Sequence, residues 1–256
     1  MSAKHQYSED ILKWLQGYCV AGSDGKGRWT HFVTGDAWTS LAADTTSTVA
    51  MSTSTSEGGG VLLLTASDTD NNEVAVYGTN KAFLFGAGNT LEMRQCLQFS
   101  ELTGNASNIA LGFADVGADA TLANLLLDDG AGPNTNIGSA VMLYKLDGEA
   151  FWTAHMEING TTVKEDSIVV PGGSDYKDFS INVNCEASTT GGQAIATFNI
   201  DGIPLMDNRG RTVQLRVPFS GAVTMKPFLY GKTGTTEQLQ IKSKFLFAGT
   251  GDRAYA

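Results

Sequence analysis

The chain has 256 residues, enough for one large domain that buries most of its unfolded surface and needs neither disulfides nor a metal to fold. Charged residues are 17% of the sequence against the usual ~25%, and 27 acidic against 17 basic side chains leave a formal net charge of -10. That balance speaks against a nucleic-acid partner, because affinity for phosphate backbones comes from Lys and Arg. No apolar run approaches the ~20 residues that would span a bilayer.

In chain order, only the beginning reads as helix. Ser8 suits an N-cap, Glu9 and Asp10 sit where the helix dipole favours negative charge, and Ile11, Leu12, Leu15 and Tyr18 form an apolar stripe. Gly17 and Gly22 end it, and "GSDGKG" is the best linker signal in the chain. The expected organisation is an N-terminal arm with a short helix over residues 1–28 and a sandwich over 29–256. The start "MSAKHQYSED" lacks the apolar segment of a secretory signal. Cys19, Cys96 and Cys185 are odd in number and far apart, which suits free thiols in a reducing cytosol.

Beyond Trp29 short strands alternate with turns. Candidate strands run over 61–66, 73–77, 81–85, 91–99, 108–113, 140–146, 150–158, 178–185, 194–200, 213–217, 223–230 and 237–247. Several alternate with period two. Trp152, Ala154, Met156 and Ile158 oppose Phe151, Thr153, His155 and Glu157, which puts His155 on the wetter face. In the last candidate, Leu239, Ile241, Phe245 and Phe247 face one way, with Gln238, Gln240, Lys242 and Lys244 facing the other. Asp147-Gly148, Asn159-Gly160 and Asp201-Gly202 are hairpin signals. The longest gap, 114–138, is Gly- and Asp-rich around "LANLLL", and a connection of that length is usually functional or disordered. So many strands with no convincing helix between them imply an antiparallel β-sandwich.

Little reactive chemistry stands out. His5, His31 and His155 show no metal-ligand spacing, and no Gly-x-Ser-x-Gly elbow is present. "GKT" at Gly231–Thr233 lacks the upstream glycine and the following helix of a phosphate loop. In "SDTDNNE", Asp68, Asp70 and Asn72 open like a calcium loop, but Glu73 stands where glycine is needed. The stretch reads as a polar turn, and no cofactor or metal is expected.

"DFSINVNCEASTTGGQAIATFNIDGIPL", "MKPFLYGKTGTTEQLQIKSKFLF" and "KAFLFGAGNTLEMRQCLQFSELTGNASNIALGFAD" together resemble the concanavalin-like (lectin/laminarinase-type) jelly rolls over residues 29–248. The resemblance implies an all-β antiparallel sandwich. The hydrolases of that fold carry Glu-x-Asp-x-x-Glu on one strand. The nearest match, Asp68, Asp70 and Glu73, has the wrong first acid and polar spacers. Sugar binding without catalysis would use aromatic platforms, for which Trp29, Trp38, Tyr144 and Trp152 are the candidates. A Ser/Thr/Gly-rich sandwich with no visible active site also resembles the decoration or cement proteins of tailed-bacteriophage capsids. That resemblance implies a non-enzymatic virion protein assembled in the host cytoplasm, with the major capsid protein and other copies of itself as partners, and with surface glycans as a further ligand class. The arm residues Ile11, Trp14, Leu15 and Tyr18 would be its interface anchor. A lectin-like carbohydrate-binding module is the alternative, and a glycoside hydrolase the third option.

Overall fold

The computed structural model describes residues 27–30, 38–42, 44–51, 61–78, 83–100, 107–115, 122–127, 132–134, 137–170, 172–173, 175–186, 192–234 and 236–252. Within them there are strands and turns and no helix. The expected helical arm, with Ile11, Trp14, Leu15 and Tyr18, lies outside the described residues.

The strands are β1 (Gly27–Thr30), β2 (Trp38–Ala42), β3 (Thr48–Met51), β4 (Leu62–Ala66), β5 (Glu73–Gly78), β6 (Phe83–Phe85), β7 (Asn89–Ser100), β8 (Ser107–Ala114) and β9 (Ala140–Lys145). There follow β10 (Phe151–Ile158), β11 (Thr161–Val169), β12 (Lys177–Glu186), β13 (Gly192–Ile200), β14 (Ile203–Pro204), β15 (Gln214–Phe219), β16 (Val223–Thr233) and β17 (Leu239–Asp252). One sheet of nine strands runs β14-β13-β12-β7-β17-β4-β3, with β1 added to β17 and β15 to β13. A second sheet of eight runs β11-β10-β9-β8-β16-β5-β2, with β6 added to β16. Every pairing is antiparallel.

Period-two patterning places the core between the sheets. From the nine-stranded sheet come Leu91, Met93, Leu97, Phe99, Phe179, Ile181, Val183, Cys185 and Phe198; from the other come Val74, Val76, Ile109, Leu111, Val141, Leu143, Trp152 and Met156. Trp152 is the hub, its ring 4.9 Å from Phe179 and 5.7 Å from Phe99. Its indole N–H, which a buried tryptophan must satisfy, donates to the Val170 carbonyl at 3.3 Å. Cys185 is buried as its alternation implies, and burial pushes its thiol up to about 11.

The turns follow their sequence signals in two of three cases. Asn159-Gly160 and Asp201-Gly202 take positive φ at both residues (49° and 80°, 54° and 75°), the left-handed pair that a primed hairpin turn requires. At Asp147-Gly148 only the glycine does, at 78°.

Three expectations are corrected. Strand β11 was not anticipated, because as an edge strand it is largely exposed and "TTVKEDS" carries no apolar alternation. In β17 the pairing with β7 slips between Ser243 and Phe245, and this bulge moves the inward positions to Leu246 and Ala248. His155 does lie on the face away from the core, yet it is only 4% exposed.

Candidate functional site

What buries His155's face is the chain itself. The outward side of the eight-stranded sheet is unusually small and apolar: Ala75, Ala110, Ala114 and Ala140 line it with Tyr77, Met142, Tyr144, Phe228 and Tyr230. The expected loop between β8 and β9 folds back over this surface. Its Leu122, Leu125, Leu126 and Ile137 pack onto those side chains and form a second core with them. We call the described residues of this loop, 122–127, 132–134 and 137, the strap. Its arms pair at Leu126 and Pro133, and Leu127 N–H donates to the Gly132 carbonyl at 2.8 Å while Asn134 N–H donates to that of Leu125 at 2.9 Å. The loop's roots meet where Asp115 N–H donates to the Ser139 carbonyl at 2.7 Å. Gly112 belongs to the same design, since a Cβ there would collide with the Val141 carbonyl and with Met142.

Charged groups fasten the strap. Glu73, at the start of β5, is 4% exposed. Both its oxygens accept from Asn124 N–H at 2.9 Å, and Oε1 also accepts from the Tyr230 hydroxyl at 2.8 Å. Asn124 reaches this position with φ of 55°, a backbone state asparagine tolerates better than most residues. Lys232, 1% exposed, donates to the Leu126 carbonyl at 3.3 Å and lies 4.0 Å from Glu73 Oε1. Burying an ion pair is costly unless it is completed by hydrogen bonds, and here strap backbone completes it.

The three acids nearest the hydrolase pattern do not converge. Asp68 and Asp70 are exposed in the turn between β4 and β5, while Glu73 points into the strap contact. The turn is held in place by Thr233, whose hydroxyl donates to the Thr69 carbonyl at 2.6 Å and whose backbone exchanges 3.0 Å bonds with Asn71 and Asn72. Among the described residues no group of three or more His, Cys, Asp or Glu side chains is arranged to hold a metal ion.

The aromatic candidates fare similarly. Trp152 is wholly inside the core, and Tyr144 is 2% exposed, with burial pushing its hydroxyl up to about 12. Neither ring offers a face to a sugar. The side chains of Trp29 and Trp38 lie outside the described residues. His155 sits 6.0 Å from the Tyr144 ring with Nδ1 unpartnered, and desolvation, followed by the charge of Lys164 opposite, holds it down at about 4.

No family model and no curated protein matches the chain. The carbohydrate recognition domain of Emp47p is similar at a TM-score of 0.56 and 10% identity, covering 90% of this chain and 96% of that one. An endo-1,3-beta-glucanase from Streptomyces sioyaensis is similar at 0.53 and 14%, covering 86% and 91%. The exoplasmic/lumenal domain of VIP36, in a form bound to Ca2+ and Man3GlcNAc, is similar at 0.50 and 10%, covering 85% of each chain. The fold is a concanavalin-like jelly roll. At these identities the likeness shows the fold alone.

The strap packs where the sequence indicated only a long loop. Its signal was present as five small residues on strands that pattern as buried (Ala75, Ala110, Gly112, Ala114 and Ala140), facing a "LANLLL" of matching size.

Proposed function

We propose that this jelly roll is a non-enzymatic structural protein of a tailed-phage virion, one that decorates the capsid lattice and acts through its surface. The observation that carries the reading is the strap: it packs the chain's own leucines onto the outward side chains of β5, β8, β9 and β16, so among the described residues that surface is core and not cleft. A lattice-binding protein needs area and shape complementarity in place of reactive groups. The outward residues of the nine-stranded sheet suit a wide, wet contact, with Ser180, Asn182, Asn184, Thr197 and Asn199 all partly exposed. In this reading the partners are the major capsid protein and further copies of the chain, and the site of action is the virion, assembled in the host cytoplasm. The stripe of Ile11, Trp14, Leu15 and Tyr18 is the proposed anchor.

The test is co-sedimentation of the purified protein with capsids, together with light scattering. The reading expects a multimer that joins particles, and deletion of residues 1–22 lowers both while the sandwich stays folded. A monomer that never joins a particle overturns it.

A second reading, a lectin-like carbohydrate-binding module, is supported by the fold likeness to carbohydrate-recognition domains. With Tyr144 and Trp152 buried, it places sugar contacts on the rim loops. Tryptophan fluorescence that responds to a polysaccharide supports it, and a flat titration across a glycan panel removes it.

A further inference from the structure

Lys232 stands directly across the ladder from Glu73 on one side and from Asn108 on the other. The three side chains therefore share the outer face of the eight-stranded sheet, and all are buried: Lys232 at 1%, Glu73 at 4% and Asn108 at 2% exposure. Directly opposed antiparallel residues keep their Cβ atoms about 4.5–5.5 Å apart. A flexible lysine stem spans that gap. An amine, a carboxamide and a carboxylate sealed together away from water supply a nucleophile, an electrophile and a proton carrier.

We propose that Lys232 and Asn108 join in an intramolecular isopeptide bond, with Glu73 as the proton carrier, which staples β16 to β8 beneath the strap. The surroundings are arranged for it. Asp147 N–H donates to Asn108 Oδ1 at 2.9 Å, the oxygen that gathers negative charge when an amine adds to Cγ. The Tyr230 hydroxyl and Asn124 N–H fix the Glu73 carboxylate, 4.0 Å from the lysine Nζ. The Leu126 carbonyl holds that amine on the buried side of the strap.

The chemistry balances without a co-reactant. The Lys232 ammonium passes one proton to Glu73, and the neutral Nζ adds to Asn108 Cγ. A second proton leaves Nζ for one Glu73 oxygen while the other oxygen protonates Nδ2. The Cγ–Nδ2 bond breaks, and the departing ammonia takes the stored proton from Glu73 as ammonium. One amide replaces another, nothing is oxidised, and Glu73 ends as the carboxylate it began as.

Intact mass spectrometry of the purified full chain tests this. The expected mass lies one ammonia, about 17 Da, below that of the sequence, and a digest yields a branched peptide joining β8 to β16. Asn159-Gly160, in its exposed turn, can lose the same mass by forming a succinimide. The branched peptide and a deficit that survives mild alkali separate the two. Lys232→Arg, Asn108→Ala and Glu73→Gln restore the full mass, whereas Asn108→Asp loses water in place of ammonia. A wild-type chain at full mass with no branched peptide overturns the proposal without recourse to any variant. So does a deficit that persists in Lys232→Arg. The outcome is independent of whether the protein joins a particle or binds a glycan.

Discussion

Acidification tests how tightly the outer face is sealed, because His155 is neutral and buried there. Its side chain is 5% exposed, Nδ1 has no partner, and Lys164 stands opposite it on β11. Burial and that like charge take its protonation from the ordinary 6.5 down to about 4. The unfolded chain binds this proton near pH 6.5 and the folded chain only near 4, so in between the unfolded state holds more protons and stability falls as pH falls. A displacement of that size is worth about 3 kcal/mol by pH 4, and below it this group adds no further loss. Glu157, with Oε2 3.7 Å from Nε2, opposes the effect. The Tyr144 ring, 6.0 Å away on the same face, stays neutral throughout the range. The assay is urea unfolding followed by tryptophan fluorescence between pH 7.5 and 4, on wild type and His155→Gln. The wild type should lose several-fold more stability across this window than the variant. Equal slopes would refute the reasoning. Asp207, held at about 2 chiefly by Arg211 N–H, loses its contribution only below about pH 4, outside this window.

Substitutions at the strap and at the β4–β5 turn should differ sharply in cost. Leu126→Ala empties part of the second core and should cost about 2–5 kcal/mol in the same unfolding assay, as for a leucine of the inter-sheet core. Glu73→Gln, which also prevents the Lys232–Asn108 bond and so leaves a buried Lys232 ammonium without its counter-charge, should destabilise by at least about 3 kcal/mol, with Tyr230→Phe costing about 1.5–3 kcal/mol through one lost hydrogen bond to a charged group. The double change Asp68→Asn and Asp70→Asn, in the exposed turn, should leave stability within about 0.5 kcal/mol of wild type.

The sandwich was legible because alternation and glycine turns are local signals. Phe179, Ile181, Val183 and Cys185 could face only one layer, and Asp201-Gly202 admitted few other conformations. The failures share a cause, since each depends on a neighbour far along the chain. β11 is a strand only because Thr162, Lys164 and Asp166 lie beside β10, and no apolar face announces it. The bulge in β17 is set against β7, so the alternation through Phe245 and Phe247 ran on past the slip. His155 has the sequence environment of a wet strand face, yet it is buried beside Tyr144, which belongs to the second core that the strap completes. Glu73 belonged to an acidic turn by composition, but its partners Asn124, Tyr230 and Lys232 come from the strap and from β16.

Whether the outer face is core or cleft can be read directly from amide hydrogen exchange at Asn124 and Leu127, the strap N–H groups bonded to Glu73 and to Gly132. If the strap is an integral layer, these two amides exchange as slowly as central strand amides such as Leu111, and only through global unfolding. Exchange as fast as that of the exposed turn around Asp70 would mean that the face stands open in solution, and the surface-acting, non-catalytic reading would fall with it.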